Sequence, residues 1–297
     1  MTVEVVVIGS ANADVVVQVQ RRPGPGETVL GSDTVLAAGG KGANAAVAAA
    51  LQEGRVALLG ALGEDQHGEL LRGSMSRAGV HLDLVRATDR PTGAAYITVT
   101  PDGENTIVVS PGANSAVDVE QVEAARHTIA EAKVLLASLE VPLEAVERAV
   151  ALASESGTRP VLNLSPVAKL SPQTLAALDP LVVNEHEAQW LMDGETDLAK
   201  LLELGPKSAV VTLGGKGALV IEPSGTTEVS SPKVAAVDTT GAGDAFVGAL
   251  VTRLAAGDDL AAAARWAVRV AAVSVTRPGA QASYPTRGEV DSVRGMV

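Results

Sequence analysis

The chain has 297 residues, of which 46% are hydrophobic and 20% are charged, and its formal net charge is −12. This composition indicates a globular protein with a large core and excludes a disordered chain. The lack of cysteine excludes disulfides, a thiol nucleophile and a thiolate zinc site, and the acidic balance argues against binding to nucleic acid or anionic membranes.

The N-terminal segment MTVEVVVIGS has an acidic residue inside a short apolar run and no basic start. These features are not those of a signal peptide. Further along the chain, no window reaches the roughly 18 consecutive apolar residues that a membrane span needs. We therefore expect a cytoplasmic protein that does not insert into a membrane.

Predicted strands alternate with predicted helices along most of the chain. The run at 3–9 is continuously apolar and β-branched, which is typical of a strand covered on both faces of a parallel sheet. Similar runs follow at 55–63, 133–140, 160–166, 180–185 and 208–215, and helical patterns such as that at 142–156 separate them. The pattern predicts a doubly wound α/β fold, with a mostly parallel sheet flanked by helices.

Two segments, at about 13–37 and 89–110, break this alternation. The second contains AAYITVT, PDGE and NTIVVS, which together indicate a hairpin with polar alternation. Strands outside the alternation can form a small second sheet, so we expect a β-sheet lid over the main sheet. Without Pro-rich linkers or repeats, one domain over 1–297 is favoured over two.

Polar motifs follow five of the predicted strands. They are SANAD at 10–14, SLE at 138–140, NLSP at 163–166, NEHE at 184–187 and TLGGKG at 212–217. In open α/β sheets, ligands bind beyond the carboxyl ends of the strands. We therefore expect these polar groups to converge on one rim.

The segment AAGGKGANAAVAAA predicts a glycine turn at the start of a helix. Gly39 and Gly40 allow close backbone approach to a ligand, and the first N–H groups of the helix are free to bind it. The segment is not a Walker loop, because Lys41 is followed by Gly42 rather than Ser or Thr. Asn44 could offer a donor and an acceptor to a pair of sugar hydroxyls. The alternatives are a tight packing turn and an Asn44 that faces water.

Asn12 and Asp14 follow the first predicted strand. The Asp14 carboxylate could accept hydrogen bonds from both hydroxyls of a vicinal diol, although a single loop aspartate is more often a turn former. This motif is weak on its own.

The stretch AVDTTGAGDAF places a glycine turn directly before a predicted helix at 244–257. Backbone N–H groups at Gly241, Ala242 and Gly243 would form an anion hole. Asp244 could serve as a general base for a hydroxyl placed between it and a phosphoryl group. Alternatively, Asp244 only caps its helix.

Asn184 and Glu187 lie three residues apart at the start of another helix. Their oxygens suit a hydrated Mg²⁺ held mostly by phosphates and water. Glu187 could equally be an ordinary first-turn acid. The four histidines show no metal-binding or catalytic spacing.

GGKGANAAVAAA and DTTGAGDAF together resemble the two signature regions of the PfkB family of carbohydrate kinases. The likeness runs from Gly9 to about Pro285 and is greatest to the family's ribokinase group, through GSANAD, PGPGETV, GEDQHG, GANS, SLEVPLE, VNEHE, TLGGKG and VTRPGAQASYP. It implies a ribokinase-like core with a β lid and ATP-dependent phosphorylation of D-ribose at its 5-hydroxyl. Another kinase of the family, for a nucleoside, deoxyribose or fructose, and a non-catalytic sugar-binding regulator are the alternatives.

The resemblance also implies roles for residues at matching positions. Asp244 would be the base, and the turn at 241–243 the anion hole. The sugar would contact Asn12, Asp14, Gly40, Lys41, Gly42, Ala43, Asn44, Glu140 and Asp244. ATP would contact Asn184, Thr212, Leu213, Gly214, Gly215, Lys216, Gly217 and Gly243.

Metal ions and a second subunit are implied in the same way. Glu187 would order Mg²⁺ through water. A K⁺ ion would lie near Asp238, Thr240, Ser274, Arg277, Gly279 and Ser283. The lid strands would pair two subunits into a homodimer.

The chain departs from the family pattern at two positions. Val268 stands where many ribokinases carry His or Asn near the adenine, and valine removes that polar contact. The sequence therefore does not predict the affinity or the selectivity for the nucleotide. Val183 precedes Asn184 where proline is commoner, a change that should matter little.

Overall fold

The structure, a computed structural model, describes residues 2–292. In this part of the chain the strands are β1 (Val5–Ile8), β2 (Asn12–Gln18), β3 (Val35–Gly39), β4 (Val56–Gly63), β5 (Val85–Thr88), β6 (Gly93–Val99), β7 (Asn105–Ser110), β8 (Val134–Ser138), β9 (Arg159–Asn163), β10 (Leu181–Asn184), β11 (Ala209–Thr212), β12 (Gly217–Glu222) and β13 (Gly225–Ser230). The helices are α1 (Lys41–Leu51), α2 (Gln66–Ala78), α3 (Val119–Ala124), α4 (Arg126–Glu131), α5 (Leu143–Ser156), α6 (Pro172–Ala177), α7 (Glu185–Leu191), α8 (Ala242–Ala255), α9 (Leu260–Ser274) and α10 (Arg287–Ser292).

The main sheet has nine strands in the order β13-β12-β11-β10-β9-β8-β1-β4-β5. All neighbours from β11 to β5 pair in parallel, and β12 and β13 extend the sheet antiparallel. In β1, Val5 and Val7 pack on one face with α1, α8 and α9, whereas Val6 and Ile8 pack on the other face with α3, α4 and α5. Because alternate side chains point to opposite faces, both faces are covered, and the predicted doubly wound fold is confirmed.

One predicted strand is shorter than expected. The run at 208–215 leaves the sheet after Thr212, and residues 214–216 form a short 3₁₀ turn before β12 begins at Gly217. Gly217 has φ +111°, and a Cβ there would collide with the carbonyl oxygen of Val229 in β13. The glycines of TLGGKG therefore form a hairpin corner between parallel and antiparallel strands.

The small second sheet has the order β3-β2-β6-β7. Its central pair, β2 and β6, is parallel, and the two outer pairs are antiparallel. All four strands come from the two segments that were predicted to break the βα alternation. The first residue of β2, Asn12, lies only four residues beyond β1, so this sheet begins at the rim of the main one.

Glycine allows helix α1 to lie close to the end of β1, at Gly42, and close to α8, at Gly248. A Cβ on Gly42 would lie 2.5 Å from the carbonyl carbon of Gly9, and a Cβ on Gly248 would collide with the carbonyl oxygen of Ala45. The close approach brings the first turns of α1 and α8 together beside the end of β1. Among residues 2–292, no helix has the length and apolarity needed to cross a bilayer.

Candidate active site

Helix α8 begins at a glycine turn whose two glycines have different requirements. Gly241 is the N-cap, with φ +71°, and a Cβ there would collide with the Tyr284 hydroxyl and lie 2.8 Å from the Cβ of Ala280. A Cβ on Gly243 would meet no atom within 4 Å. Packing therefore requires glycine at 241, while glycine at 243 keeps space open above the helix.

Three backbone N–H groups at this turn point away from protein acceptors. Ala242 donates to the carbonyl oxygen of Thr239 at 3.2 Å, whereas the N–H groups of Gly241, Gly243 and Asp244 have no acceptor among the described residues. A helix N-terminus with free N–H groups attracts anions. An anion hole at this turn would use Asp244's own N–H, and Ala242 would contribute only by exchanging its bond to Thr239.

Asp244 does not cap its helix. It is the third residue of α8, and no side-chain cap is formed in the described structure. Its Oδ2 instead accepts a hydrogen bond from Asn44 Nδ2 in α1 at 2.9 Å. Capping as the whole role of Asp244 is therefore wrong, because its carboxylate bonds to Asn44 and, within the described residues, accepts no backbone N–H group of the α8 turn.

Burial sets the charge properties of this carboxyl group. Asp244 is only 9% exposed, and desolvation is the main reason that its pKa rises from 3.8 to about 6. The Lys41 ammonium and the Asn44 hydrogen bond lower the pKa, and the Glu140 carboxylate raises it. A carboxyl group with a pKa near 6 is ionised at neutral pH and is a stronger base than an exposed aspartate.

Asn44 is also buried, at 6% exposure, so the alternative in which it faces water is wrong. Gly40 caps α1 with φ +89°, and a Cβ there would lie 2.5 Å from the backbone nitrogen of Asn12. Gly42 and Ala43 are buried, and the Ala43 N–H donates to the Ser10 carbonyl oxygen at 2.8 Å. These three small residues shape the turn and aim Asn44 at Asp244.

A second cluster of acidic and polar side chains lies beside the start of β2. Asn12 Nδ2 donates to Glu140 Oε2 at 3.3 Å, and the Ser10 hydroxyl donates to the same oxygen at 2.5 Å. Asp14 is further along the strand, where burial, then the charges of Glu140 and Asp244, raise its pKa to about 6. A Cβ on Gly39 would collide with the Asp14 carboxylate, so β3 approaches this acid closely. The predicted hydroxyl-binding side chains therefore gather at one rim.

Asn114 supports this rim, and no role was predicted for it. It is 1% exposed, its Nδ2 donates to Asn12 Oδ1 at 2.7 Å, and its Oδ1 accepts from the Ala11 N–H at 2.9 Å. The bonds fix the Asn12 amide so that its nitrogen faces Glu140. The motif GANS was noticed in the sequence, but nothing local connects Asn114 to partners about 100 residues earlier.

Two neighbouring cavities share wall residues at the glycine turn. One has a volume of about 450 Å³ and the other about 210 Å³, and they share Thr212, Thr239, Ala242 and Gly243. The larger has apolar walls that include Phe246, Val268, Ala272 and Val275. The smaller is lined by polar groups that include Lys41, Asn163, Asn184, Glu187 and Asp244.

The predicted nucleotide-binding turn only partly lines the larger cavity. Thr212, Gly214, Gly215 and Gly217 are in its wall, whereas Leu213 and Lys216 are not. Leu213 packs instead against the hydrophobic cluster on the opposite face of the sheet. The cavity wall also contains residues 231–234, which the sequence did not single out.

Asn184 and Glu187 form a reciprocal capping box at the start of α7. Asn184 Oδ1 accepts the Glu187 N–H, and Glu187 Oε2 accepts the Asn184 N–H, both at 2.8 Å. The first-turn role of Glu187 is therefore real, yet both residues also line the smaller cavity. In residues 2–292 no three His, Cys, Asp or Glu side chains cluster as metal ligands. One carboxylate acting through water still fits the sparse protein ligation typical of Mg²⁺.

The residues predicted near a potassium ion tie two loops together. Asp238 accepts the Thr240 N–H at 2.9 Å and the Gly279 N–H at 2.8 Å. Although burial acts to raise the pKa of Asp238, these hydrogen bonds lower it overall.

Three further members of this predicted set have other partners. The hydroxyls of Ser274 and Ser283 donate to nearby carbonyl oxygens, at 2.9 and 2.8 Å, and Arg277 pairs with Glu289 at 2.6 Å. The Arg277 side chain is thus directed to α10, and any contact that it makes with a cation would use its backbone.

Comparison with known proteins gives matches along nearly the whole chain. Residues 3–287 match the family described as pfkB family carbohydrate kinase. The chain is 38% identical over 308 residues to a ribokinase of Schizosaccharomyces pombe, with 97% of each protein covered. It is 38% identical over 290 residues to a ribokinase of Bacillus subtilis, with 97% of this chain and 98% of that protein covered.

Among solved structures, the fold is similar to that of Arabidopsis thaliana ribokinase complexed with ribose and ATP. The TM-score is 0.92 at 32% identity, and 99% of each chain is covered. The similarity therefore extends over both sheets and both cavities and is not limited to the two glycine motifs.

Proposed function

The chain belongs to the pfkB family of carbohydrate kinases, and from this membership we propose that it transfers the γ-phosphoryl group of ATP to the 5-hydroxyl of D-ribose. The observation that supports the chemistry best is the position of Asp244. This buried carboxylate lies beside three free N–H groups, where two cavities meet. A base and an anion site in such proximity are what phosphoryl transfer to a hydroxyl requires.

In the proposed reaction, D-ribose lies against the rim formed by Asn12, Asp14 and Glu140, with its 5-hydroxyl directed at Asp244. The hydroxyl proton moves to the Asp244 carboxylate as the hydroxyl oxygen forms a bond to the γ-phosphorus. The bond from that phosphorus to the β,γ-bridging oxygen breaks, and ADP leaves with the electron pair. The backbone N–H groups of Gly241, Gly243 and Asp244 stabilise the negative charge on the transferring group.

ATP occupies the two cavities in this proposal. The apolar cavity takes the adenine and ribose portion, and the polar cavity takes the phosphates, where Lys41 supplies a positive charge. The division of apolar and polar walls between the cavities supports this arrangement. The structure of Arabidopsis thaliana ribokinase is a complex with ribose and ATP, which supports the choice of these two ligands.

We propose that Asn184 and Glu187 hold Mg²⁺ indirectly, and that backbone oxygens around Asp238 and Gly279 hold K⁺. Mg²⁺ bound to the phosphates would neutralise charge that builds up during transfer. The loops that carry Asp238 and Gly279 are bonded to each other beside the α8 turn, and Tyr284 donates to the Gly241 carbonyl oxygen at 3.0 Å. If K⁺ orders these loops, activity rises when K⁺ replaces Na⁺, and equal rates would remove the K⁺ site.

A homodimer formed through the small sheet is the proposed assembly. Leu36, Val15, Tyr96 and Val108 are register partners in a row across the four strands. Leu36, Tyr96 and Val108 are 52%, 52% and 64% exposed, and the opposite face carries Asp14. Such an apolar row is typical of an interface. Val108→Lys should shift the protein from dimer to monomer in analytical ultracentrifugation, and a monomeric parent protein would contradict the assembly.

The experiment that tests the proposed function is an ADP-release assay with MgATP and a panel of sugars and nucleosides. We expect the highest kcat/KM for D-ribose. A preference for a nucleoside, deoxyribose or fructose would assign another activity within the family. Binding of ribose without ADP release would favour a sugar-binding regulator. As an enzyme that uses ATP, the protein is proposed to act in the cytoplasm.

A further inference from the structure

A chain of side-chain hydrogen bonds leads away from Asp244 through Asn44 to Gln281. Asn44 Nδ2 donates to Asp244 Oδ2 at 2.9 Å, and Gln281 Nε2 donates to Asn44 Oδ1 at 3.0 Å. The chain ends on α2, where the Ser74 hydroxyl donates to Gln281 Oε1 at 2.7 Å. It connects the proposed base to the 3₁₀ turn at 281–283, in which no role was predicted for Gln281.

The ionised carboxylate fixes the direction of this chain. A carboxylate only accepts hydrogen bonds, so Asn44 must turn its NH₂ group toward Asp244. The Asn44 carbonyl oxygen then points the other way, and because Asn44 is buried it requires a donor from the protein. Gln281 supplies that donor. The observed arrangement is therefore complementary to an ionised Asp244.

The protonated acid would prefer a different arrangement. A carboxyl O–H can donate, so a protonated Asp244 would favour the carbonyl oxygen of Asn44 over its NH₂ group. The Gln281 donor opposes that rotation, because the rotation would set the Asn44 NH₂ group against the Gln281 NH₂ group. Hydrogen bonds in series also polarise one another, so the Gln281 bond strengthens the bond from Asn44 to the charged acid.

We propose that Gln281 is a positioning residue for phosphoryl transfer, which holds the Asn44 amide in the orientation that donates to the Asp244 carboxylate. One oxygen of Asp244 is thereby held by Asn44, and the other remains free for the substrate hydroxyl. Gln281 itself does not touch the reacting atoms in this proposal. The inference rests on the proposed function, in which Asp244 is the base.

Other charged groups also act on Asp244 and would be unchanged by a substitution at 281. Lys41 lowers its pKa and Glu140 raises it. Asp14 on β2 and the buried Tyr284 hydroxyl are within electrostatic range, since the Asp244 charge raises the pKa of both. The acid limb is the low-pH side of the plot of kcat against pH, where activity falls as Asp244 becomes protonated. A shift of this limb after substitution of Gln281 would therefore result from the lost amide donor.

The test is the pH dependence of kcat at saturating sugar and MgATP for the parent protein and for Gln281→Met, which keeps the side-chain length but removes the donor. We expect the acid limb to move up by roughly 0.5 to 1 pH unit, the effect of one ordinary hydrogen bond. At about pH 8, where Asp244 is ionised in both proteins, kcat should agree within about twofold. An unmoved limb, or a kcat lowered by the same factor at every pH, would overturn the proposal.

Gln52→Met is the matched control. Gln52 is also buried, and its Nε2 donates to the Pro285 carbonyl oxygen at 2.8 Å, so it anchors the same loop without facing Asn44. It should lower the thermal stability and leave the acid limb in place. A shift of the limb in this variant equal to that in Gln281→Met would contradict the proposal, since loop stability alone would then explain both.

Gln281→Leu provides a second test if the Met variant does not fold. It is uncharged and lacks the amide donor, so its limb must also rise, and an unmoved limb overturns the inference. If the parent protein phosphorylates no sugar, the proposed function fails. If the parent is active but the limb is unmoved in the variants, only the role of Gln281 fails.

Discussion

Asn44 and Asp244 are 200 residues apart in the chain, yet a hydrogen bond of 2.9 Å joins their side chains. The bond connects the first turn of α1 to the first turn of α8. Gly248 permits the close approach of α8 to α1, and Gly42 permits the close approach of α1 to the end of β1. Each glycine signature thus supplies one member of the pair, and the proposed base takes its orientation from both.

Asp244→Asn should lower kcat by about 10²- to 10⁴-fold, because it removes the proton acceptor while keeping the size of the side chain. Ribose should still bind, since Asn12, Asp14 and Glu140 are unchanged. ADP-release kinetics combined with calorimetric titration of ribose would check this. Turnover close to that of the parent protein would show that Asp244 is not the base.

The same substitution should change the stability in a pH-dependent way. The pKa of Asp244 is about 6 in the folded protein against 3.8 ordinarily, so the folded state holds the proton more tightly, and stability is lost as the pH rises through about 6. Asp244→Asn should therefore be more stable than the parent by on the order of 2 to 3 kcal/mol at about pH 8. Urea unfolding should show this difference shrinking below pH 6. A constant difference would contradict the burial of an ionised acid.

Alanine at the two glycines of the α8 turn should have opposite effects. Gly241→Ala should reduce the free energy of unfolding by about 1 kcal/mol or more, because of its positive φ and the collision with Tyr284. Gly243→Ala should leave the melting temperature unchanged and lower kcat/KM for ATP by about 10- to 100-fold, since its methyl group enters the open space. Normal ATP kinetics in Gly243→Ala would exclude phosphate binding at this turn.

Val268 should govern the discrimination between nucleotides. It is 4% exposed in the wall of the larger cavity, and an apolar wall rejects the wrong base only weakly. Val268→Asn should change the ratio of kcat/KM for ATP and GTP by about 10-fold, whereas Val268→Leu should change it by less than about twofold. Equal ratios in the parent protein and the two variants would show that the nucleobase of ATP does not bind beside Val268.

Local sequence patterns predicted the doubly wound core because each buried strand is a continuous apolar run. They also predicted the glycine turn before α8, since every residue of that site is contiguous. Whether the Asp244 carboxylate bonds to its own helix or to another element could not be decided locally. It depends on the direction of one side chain, which a residue 200 positions away determines.

Asn114 and Gln281 were not assigned roles for the same reason. Each bonds to a side chain more than 100 positions away, and each lies in a short 3₁₀ turn with little periodicity. Glu187 was difficult to interpret for a different reason. Its side chain caps α7 by accepting the Asn184 N–H group, and the same residue lines the smaller cavity. A sequence pattern cannot separate two functions that share one side chain.

The most direct test of the proposed activity is to incubate the protein with D-ribose and MgATP and identify the product by ³¹P and ¹³C NMR. We expect ADP and ribose phosphorylated on the 5-hydroxyl to form in equal amounts, with product formation largely lost in Asp244→Asn. Phosphorylation at another hydroxyl, or ADP formed without a sugar phosphate, would contradict the proposed position of ribose between Asp244 and the α8 turn.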